Sequence, residues 1–216
     1  RHVWLSGVKD SNGRYVNPYA AFSLPLLTED DLTAMEGHMM IGQAGKEYVD
    51  GIPQLGRTAA LVNFMWTDLL RDKDAIGLPL HREKLGLADR YVRALKEKKF
   101  AGVVDIMNRY VDIRNQLCKR WTALMLDAHQ GKPIPEYAKA YAEKVFSPGN
   151  PAYADYETLR KMYAQYGEGL RDVSLYAPGP IDDIVQAGRK EGMAVLPLGA
   201  GGPGANIIAI SPKGTE

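Results

Sequence analysis

The stretch Val195–Gly214, VLPLGAGGPGANIIAISPKG, decides the fold because it places a glycine-rich segment between two apolar runs. The flanking runs MAVLPL and NIIAIS predict two strands. A tight hairpin turn needs fewer glycines than the four present here, Gly199, Gly201, Gly202 and Gly204. Two interpretations stay open. Either the glycines satisfy the backbone geometry of a wide hairpin, or they let a phosphate, a sugar or another backbone approach without a Cβ in the way.

The glycine-rich segment lacks two well-known phosphate-binding signatures. No Lys-Ser or Lys-Thr follows it, so it is not a Walker A sequence. It leads into an apolar strand rather than opening a helix, so it is not a dinucleotide-binding fingerprint either.

Composition predicts a globular protein with an ordinary core. The chain has 216 residues, of which 45% are hydrophobic and 25% charged, and its net charge is +1. This charge balance argues against a nucleic-acid surface. No apolar run approaches the ~18 residues of a membrane span. The single cysteine, Cys118, forbids an internal disulfide and fits a cytoplasmic location.

The order of predicted elements indicates an α+β fold. Strand-like runs before residue 27 are separated by Asn12-Gly13, a hairpin signal, and Thr28 is placed to cap a short helix. GHMMIGQAG reads as a strand, and helices follow at 57–72 and 80–99. The second of these helices has an apolar side, predicted to contain Leu85, Ala88, Val92 and Leu95.

A longer helix follows, and its apolar stripe predicts the core. Its spacings of three and four residues are broken only by Arg114 and give the stripe Val103, Met107, Tyr110, Leu117, Trp121, Leu124 and Ala128. Residues 131–179 predict two further helices as an insertion, and a compact helix ends at Gly192. We therefore expect an antiparallel sheet covered on one face by helices, with an added helical insertion.

The segment 181–211, IDDIVQAGRKEGMAVLPLGAGGPGANIIAIS, resembles the third motif of the GHMP kinases, the family of galactokinase, homoserine kinase and mevalonate kinase. GHMMIGQAG…LGRTAALVNFMW and ALKEKKFAGVVDIMNRYVDIRNQL are similar to the fucokinase and heptose-phosphate-kinase branch. The resemblance implies a ferredoxin-like domain with a substrate or phosphate site at Gly199, Ala200, Gly201, Gly202 and Gly204. It also implies a sugar or sugar phosphate as substrate.

The resemblance covers only the C-terminal half of such a kinase. The family's nucleotide loop, of the type Pro-x-x-x-Gly-Leu-Gly-Ser-Ser, is missing from this chain, which also has no initiator Met. We therefore expect a piece of a longer polypeptide, residues 1–216 forming the C-terminal domain, with the N-terminal half as its partner. ATP and Mg²⁺ belong to the complete parent enzyme, and the isolated chain is expected to bind no cofactor and to be inactive.

Two departures from the family pattern favour an alternative function. Pro203 stands where the family has a further glycine, and Leu196 where many members have Lys. The alternative is a non-catalytic binding or interaction module that keeps the fold and uses the helical insertion to bind a partner. The sequence leaves the oligomeric state open.

Among single residues, Arg57 is the charge of greatest interest. It follows Gly56 at the start of a predicted helix, where it can contact an anion or a substrate hydroxyl, or stay solvated. The scattered histidines, His2, His38, His81 and His129, show no metal-ligand spacing. Asp182 and Asp183 are interpreted as first-turn partners of a helix dipole, and Cys118 as a small core residue. The tyrosines at 137, 141, 153, 156, 163 and 166 are assigned mainly to helix packing, with a sugar-stacking or partner surface as the alternative.

Overall fold

The computed structural model describes residues 27–43, 73–150, 153–174, 176–177, 179–198 and 206–214. These residues form a mixed α+β structure that is mostly helical and has a small antiparallel sheet. The elements in chain order are α1 (Glu29–Glu36), β1 (Met39–Gln43), α2 (Gly77–Lys96), α3 (Phe100–His129), α4 (Glu136–Phe146), α5 (Tyr153–Tyr166), a 3₁₀ helix (Gly167–Asp172), α6 (Gly179–Lys190), β2 (Ala194–Leu198) and β3 (Asn206–Ile210). The strands predicted before residue 27, the hairpin at Asn12-Gly13 and the helix at 57–72 lie outside the described residues.

The described sheet has the strand order β1–β3–β2, and both pairings are antiparallel. Leu198 at the end of β2 lies opposite Asn206 at the start of β3. Residues 199–205 therefore join two adjacent strands, as the apolar runs on either side predict. The strand predicted within GHMMIGQAG is also confirmed, because Met39–Gln43 forms β1 and pairs along the length of β3.

Helix α6 packs closely against β2 because position 188 has no side chain. A Cβ at Gly188 would lie 2.3 Å from Cγ2 of Val195. The chain reverses between the two elements at Gly192, whose φ is +72°. The Met193 N–H donates to the Gly188 carbonyl at 2.9 Å, which gives the hydrogen bond of a Schellman cap. The predicted role of Gly192 at the end of this helix is thus confirmed.

Helix α3 forms the centre of the apolar core. Val103, Leu117, Trp121 and Leu124 of the predicted stripe are buried, while Met107, Tyr110 and Ala128 are half-buried. Further buried side chains lie off the stripe, among them Val104, Val111, Ile113, Cys118 and Met125. The prediction of a single buried face was too narrow, because α2, α4, the 3₁₀ helix and β2 all pack around this helix.

The predicted apolar side of α2 is confirmed at Leu95 but was wrong in its register at Leu85 and Ala88. Leu85 is 61% exposed, whereas Leu80, Leu87, Ala94 and Leu95 are buried. The buried stripe runs through position 84, and the charge of Lys84 made this side of the helix look less apolar in the sequence. Tertiary packing selects the face, and the ammonium of a long lysine can reach past the apolar layer.

The segment 131–179 contains the predicted helices, which are α4, α5 and the 3₁₀ helix, and they pack on the C-terminal half of α3. Buried side chains of this segment, including Val145, Leu159 and Leu170, belong to the same apolar cluster as Trp121. An ion pair between Arg171 and Asp127, with an N–O distance of 2.8 Å, fixes the 3₁₀ helix to α3. The segment thus shares a continuous core with the central helix.

A buried carboxylate joins three helices. Asp74 is 1% exposed, and its Oδ1 accepts the backbone N–H groups of Ile76 at 2.9 Å and of Gly77 at 2.6 Å, at the start of α2. Its Oδ2 accepts the Arg120 Nε and Nη2 donors of α3 at 3.0 and 2.9 Å, and the Tyr137 hydroxyl of α4. We call Asp74, Arg120 and Tyr137 the Asp74 cluster.

Ionised Asp74 stabilises the folded state. Burial alone would raise its pKa, but the hydrogen bonds from Arg120, Tyr137 and the Gly77 amide prevail, so the pKa lies below the ordinary value of 3.8. A carboxyl with a lowered folded pKa contributes stability at every pH above its unfolded pKa. That contribution is lost as the pH falls from 3.8 through the folded value.

We predict that Asp74→Asn lowers the free energy of unfolding at pH 7 by about 3 kcal/mol, because the Arg120 guanidinium loses its buried counter-ion. The difference from the wild type should stay constant from pH 7 down to about 5 and should narrow below the unfolded pKa. Urea unfolding at a series of pH values measures both effects. Asp105→Asn, at an exposed position of α3, is the control and should stay within about 0.5 kcal/mol of the wild type. A pH-independent difference would contradict the role of the charge.

We also predict that Gly188→Ala destabilises the protein by about 1–2 kcal/mol, since the clash with Val195 outweighs the better helix propensity of alanine. Combining it with Val195→Ala should cost less than the sum of the two single substitutions, because the second change removes the clashing methyl groups. Thermal melting of the four members of this double-mutant cycle provides the test. A Gly188→Ala protein as stable as the wild type would show that α6 can move away from β2 at no cost.

Candidate functional site

The residues predicted for the substrate site lie outside the described part of the chain. These are Gly199, Ala200, Gly201, Gly202, Gly204 and Arg57. The structure does describe where the glycine-rich segment begins and ends, at Leu198 and Asn206 on neighbouring strands. The candidate site is therefore built from the described residues around this end of the sheet.

A polar cleft of about 510 Å³ lies between α3 and α6. One wall consists of α3 side chains at positions 109, 112, 115, 116 and 119, which recur at the three- and four-residue spacing of one helix face. The opposite wall consists of residues 172–174, Ala177 and the first half of α6, with Asp182, Asp183 and Gln186. We call it the α3–α6 cleft. Its volume falls in the ~300–1,000 Å³ range of small-molecule sites.

Several groups of the α3–α6 cleft are held by bonds that shape its walls. Arg189 donates to Asp112 Oδ1 at 2.6 Å and to the Asn108 carbonyl at 3.0 Å, which fixes α6 on α3. The Ser174 hydroxyl donates to Asn115 Oδ1 at 2.6 Å and accepts the backbone N–H of Tyr176 at 3.2 Å. The Arg189 bonds thus hold the last turn of α6 against α3, and the Ser174 bonds hold the turn that precedes this helix.

Other groups of the cleft have no partner within the described part of the chain. Lys119 and Gln116 extend from α3, and Asp172 and Asp183 line the opposite wall; all four are exposed. Lys119 forms no ion pair with any of the aspartates, although they line one cleft. The cleft thus offers a cation and an amide on one side and carboxylates on the other.

The α3–α6 cleft lies at the end of the sheet where the glycine-rich segment begins. Helix α6 and strand β2 are joined by the tight turn at Gly192, and the strand returns along the helix. The first turn of α6, which lines the cleft, is therefore near the C-terminal end of β2.

A second polar group lies between α2, α3 and the turn before α6. The Arg114 guanidinium stacks on the ring of Tyr176, with its carbon 4.1 Å from the ring centroid, and Nη1 donates to the Tyr110 hydroxyl at 3.2 Å. Burial, and secondarily the charge of Arg114, lowers the pKa of Lys84 to about 8. The side chain of Lys84 can therefore be neutral near physiological pH. Because the Tyr176 ring covers the Arg114 guanidinium, we assign this region to the packing between the helices.

The remaining candidates have structural environments. Burial raises the pKa of the Cys118 thiol to about 12, so its interpretation as a core residue is confirmed. His38 stacks on Phe100 with ring centroids 3.5 Å apart, and its Nδ1 lies 2.8 Å from the Ser211 carbonyl oxygen. His129 packs against Phe146 and Tyr156. Among the described residues, no three His, Cys, Asp or Glu side chains are arranged to hold a metal ion.

The tyrosines of the insertion contribute to packing and to polar bonds. Tyr141 is buried, Tyr156 packs edge-on against Phe146, and the Tyr163 hydroxyl donates to Glu168 at 2.9 Å. Tyr137 belongs to the Asp74 cluster. These contacts agree with the packing interpretation. In the part of the chain that the structure describes, no helix combines the length and the apolar character needed to cross a membrane.

Sequence reasoning missed the α3–α6 cleft and the Asp74 cluster. The cleft combines positions 109–119 with 172–186, and no local pattern connects them. For Asp74 a signal did exist, since an aspartate just before an apolar, helix-forming run is typical of a helix N-terminus. Its bonds to Arg120 and Tyr137 span 46 and 63 residues, so no local sequence pattern could predict them.

Comparison with known protein families, with curated proteins and with solved structures gives no match to this chain.

Proposed function

We propose that this chain is the C-terminal, substrate-side part of an ATP-dependent small-molecule kinase of the GHMP type, acting on a sugar or sugar phosphate. One observation carries the proposal. A helix, a tight glycine turn, a strand, the glycine-rich segment and an antiparallel partner strand follow one another at 179–210. This is the order of elements in the third motif of the kinases that the sequence resembles.

The close approach of α6 to β2 supports the same interpretation. Gly188 permits the helix to lie against Val195, and this contact fixes the direction in which β2 leads into the glycine-rich segment. In a phosphoryl-transfer enzyme such a segment would contribute backbone donors and a surface free of side chains beside the transferred phosphate. The proposal also includes a ferredoxin-like arrangement of the sheet and a cytoplasmic location, both of which the resemblance and the composition predict.

ATP and Mg²⁺ belong to the complete parent enzyme in this proposal. The nucleotide and the ion are assigned to the N-terminal half, because the family's nucleotide loop is missing from this sequence. That half is the main partner, and the sugar-like substrate would bind between the two. What this chain supplies is the glycine-rich segment, the helices that hold it and the α3–α6 cleft.

A non-catalytic binding module is the second candidate. It is favoured by the α3–α6 cleft, which is formed by the described residues without the glycine-rich segment. Helices α4 and α5 add a further surface outside the α6–β2–β3 unit. In this case the fold of the kinase half would be kept and the transfer chemistry lost.

We predict that the isolated 216-residue chain neither binds ATP with a micromolar dissociation constant nor forms ADP from ATP, Mg²⁺ and a panel of sugars. The reason is that its sequence contains no nucleotide-binding loop. Calorimetry and an ADP-release assay test both statements. Saturable sugar phosphorylation by the isolated chain would overturn the assignment to half of an enzyme.

In the longer polypeptide that contains this chain, we predict that Gly201→Val abolishes ADP formation and shifts the melting temperature by less than about 4 °C, since it blocks approach to the backbone without altering the core. Gly86→Val is the matched control, because a Cβ at Gly86 of α2 meets no atom within 4 Å. An equal loss of stability and activity in the Gly201 variant would make the glycines a requirement of the turn. A longer polypeptide that forms no ADP would favour the binding module.

A further inference from the structure

The α3–α6 cleft has a charge pattern that selects among small ligands. Asp112 is paired with Arg189, and Arg109 with Glu83 at 2.6 Å, so these four charges cancel in two pairs. Three aspartates and one lysine remain on the lining, Asp172, Asp182, Asp183 and Lys119. Counted over the described residues, the lining groups without an ion pair therefore have a net negative charge, although Lys119 provides a cation on the α3 wall.

The carboxylates are not equivalent. Asp182 lies in the first turn of α6, where the helix dipole partly offsets its charge, and it also accepts the Gln186 amide at 3.2 Å, whereas Asp183 follows the first turn. Asp172 ends the 3₁₀ helix, where backbone carbonyls add to the negative potential. The strongest attraction for a cation is thus expected between Asp172 and Asp183.

The α3 wall adds hydrogen-bond donors opposite these carboxylates. Lys119 and the Gln116 amide have no partner in the described residues, and Asn115 keeps its amide nitrogen unused because Ser174 bonds to its oxygen. Such donors suit hydroxyl oxygens and repel a second cation. A metal ion does not fit, since no three ligands converge among the described side chains.

We propose that the α3–α6 cleft binds a small hydroxylated amine, with the ammonium group toward Asp172 and Asp183 and the hydroxyl groups toward Gln116 and Lys119. This is a ligand site distinct from the glycine-rich segment, formed by side chains of α3, α6 and the turn between the 3₁₀ helix and α6. It rests on the proposed function only if the bound amine is also the phosphate acceptor. Binding itself requires neither ATP nor the missing half.

Three ligands with the same hexose ring and different charge test the proposal with the full 216-residue chain: glucosamine, glucose and glucose 6-phosphate. Binding is followed at low ionic strength by calorimetry and by the backbone amide resonances of α3 and α6. Glucosamine should bind at least about tenfold more tightly than glucose, and glucose 6-phosphate more weakly than either. The preference should decrease in salt, as expected for exposed charges.

The variant Asp172→Asn/Asp183→Asn should bring glucosamine to the affinity of glucose. Both positions are exposed, and an unchanged melting curve would show that the fold is kept. Glu143→Gln on α4 removes one exposed carboxylate outside the cleft and should leave the preference intact. The proposal would be overturned if the three hexoses bound with equal affinity, if glucose 6-phosphate bound more tightly, or if no binding were saturable. It would also be overturned by resonance shifts outside the cleft or by a double variant that keeps the preference for glucosamine.

The kinase proposal fails separately from this one. Glucosamine bound in the cleft, without ADP formation by the longer polypeptide, would leave the amine site in place and count against the kinase. ADP formation with a neutral sugar, without selective binding in the cleft, would support the kinase and count against the amine site.

Discussion

The burial of helix α3 is the constraint on which the rest of the structure depends. A 30-residue helix with fully buried side chains on several faces, such as Val103, Ile113 and Trp121, is stable only when other elements cover it. Helix α2, the segment of α4, α5 and the 3₁₀ helix, and the α6–β2 unit each cover part of it. The Asp74 cluster and the Arg189 bonds have both formed where such elements meet on its surface.

Polar bonds then fix the orientation that apolar burial leaves undetermined. The hydrophobic effect has no direction, so it holds α2 and α4 against α3 without selecting their angles. The five hydrogen bonds to Asp74 do so, because a buried carboxylate must have its acceptors satisfied in one geometry. Closer to the N-terminus of α3, Arg189 bonds to Asn108 and Asp112 and sets the position of α6. The same bonds define one end of the α3–α6 cleft.

The two features with functional chemistry differ in kind. The glycine-rich segment contributes the absence of side chains, which is useful where a backbone must approach a ligand. The α3–α6 cleft contributes charged and amide side chains on two facing walls. In the proposed kinase, the cleft would select the molecule and the segment would serve the transfer. The Lys84–Arg114 region is covered by tyrosine rings and is better explained as part of the packing between α2 and α3.

The sequence by itself determined the local elements. The capping box of Thr28 and Asp31, the end of α6 at Gly192, the strands on either side of the glycine-rich segment and the helix around Trp121 all follow from residue type and spacing over a few positions. Only the tertiary structure decided which side of α2 faces the core, because its two apolar registers differ little and Lys84 lies in the buried one. It alone also brought Asp74 to Arg120 and Tyr137, and the α3 side chains to Asp172 and Asp183. These groups are separated by tens of residues, and their meeting depends on how whole helices pack, which no local pattern of amino acids encodes.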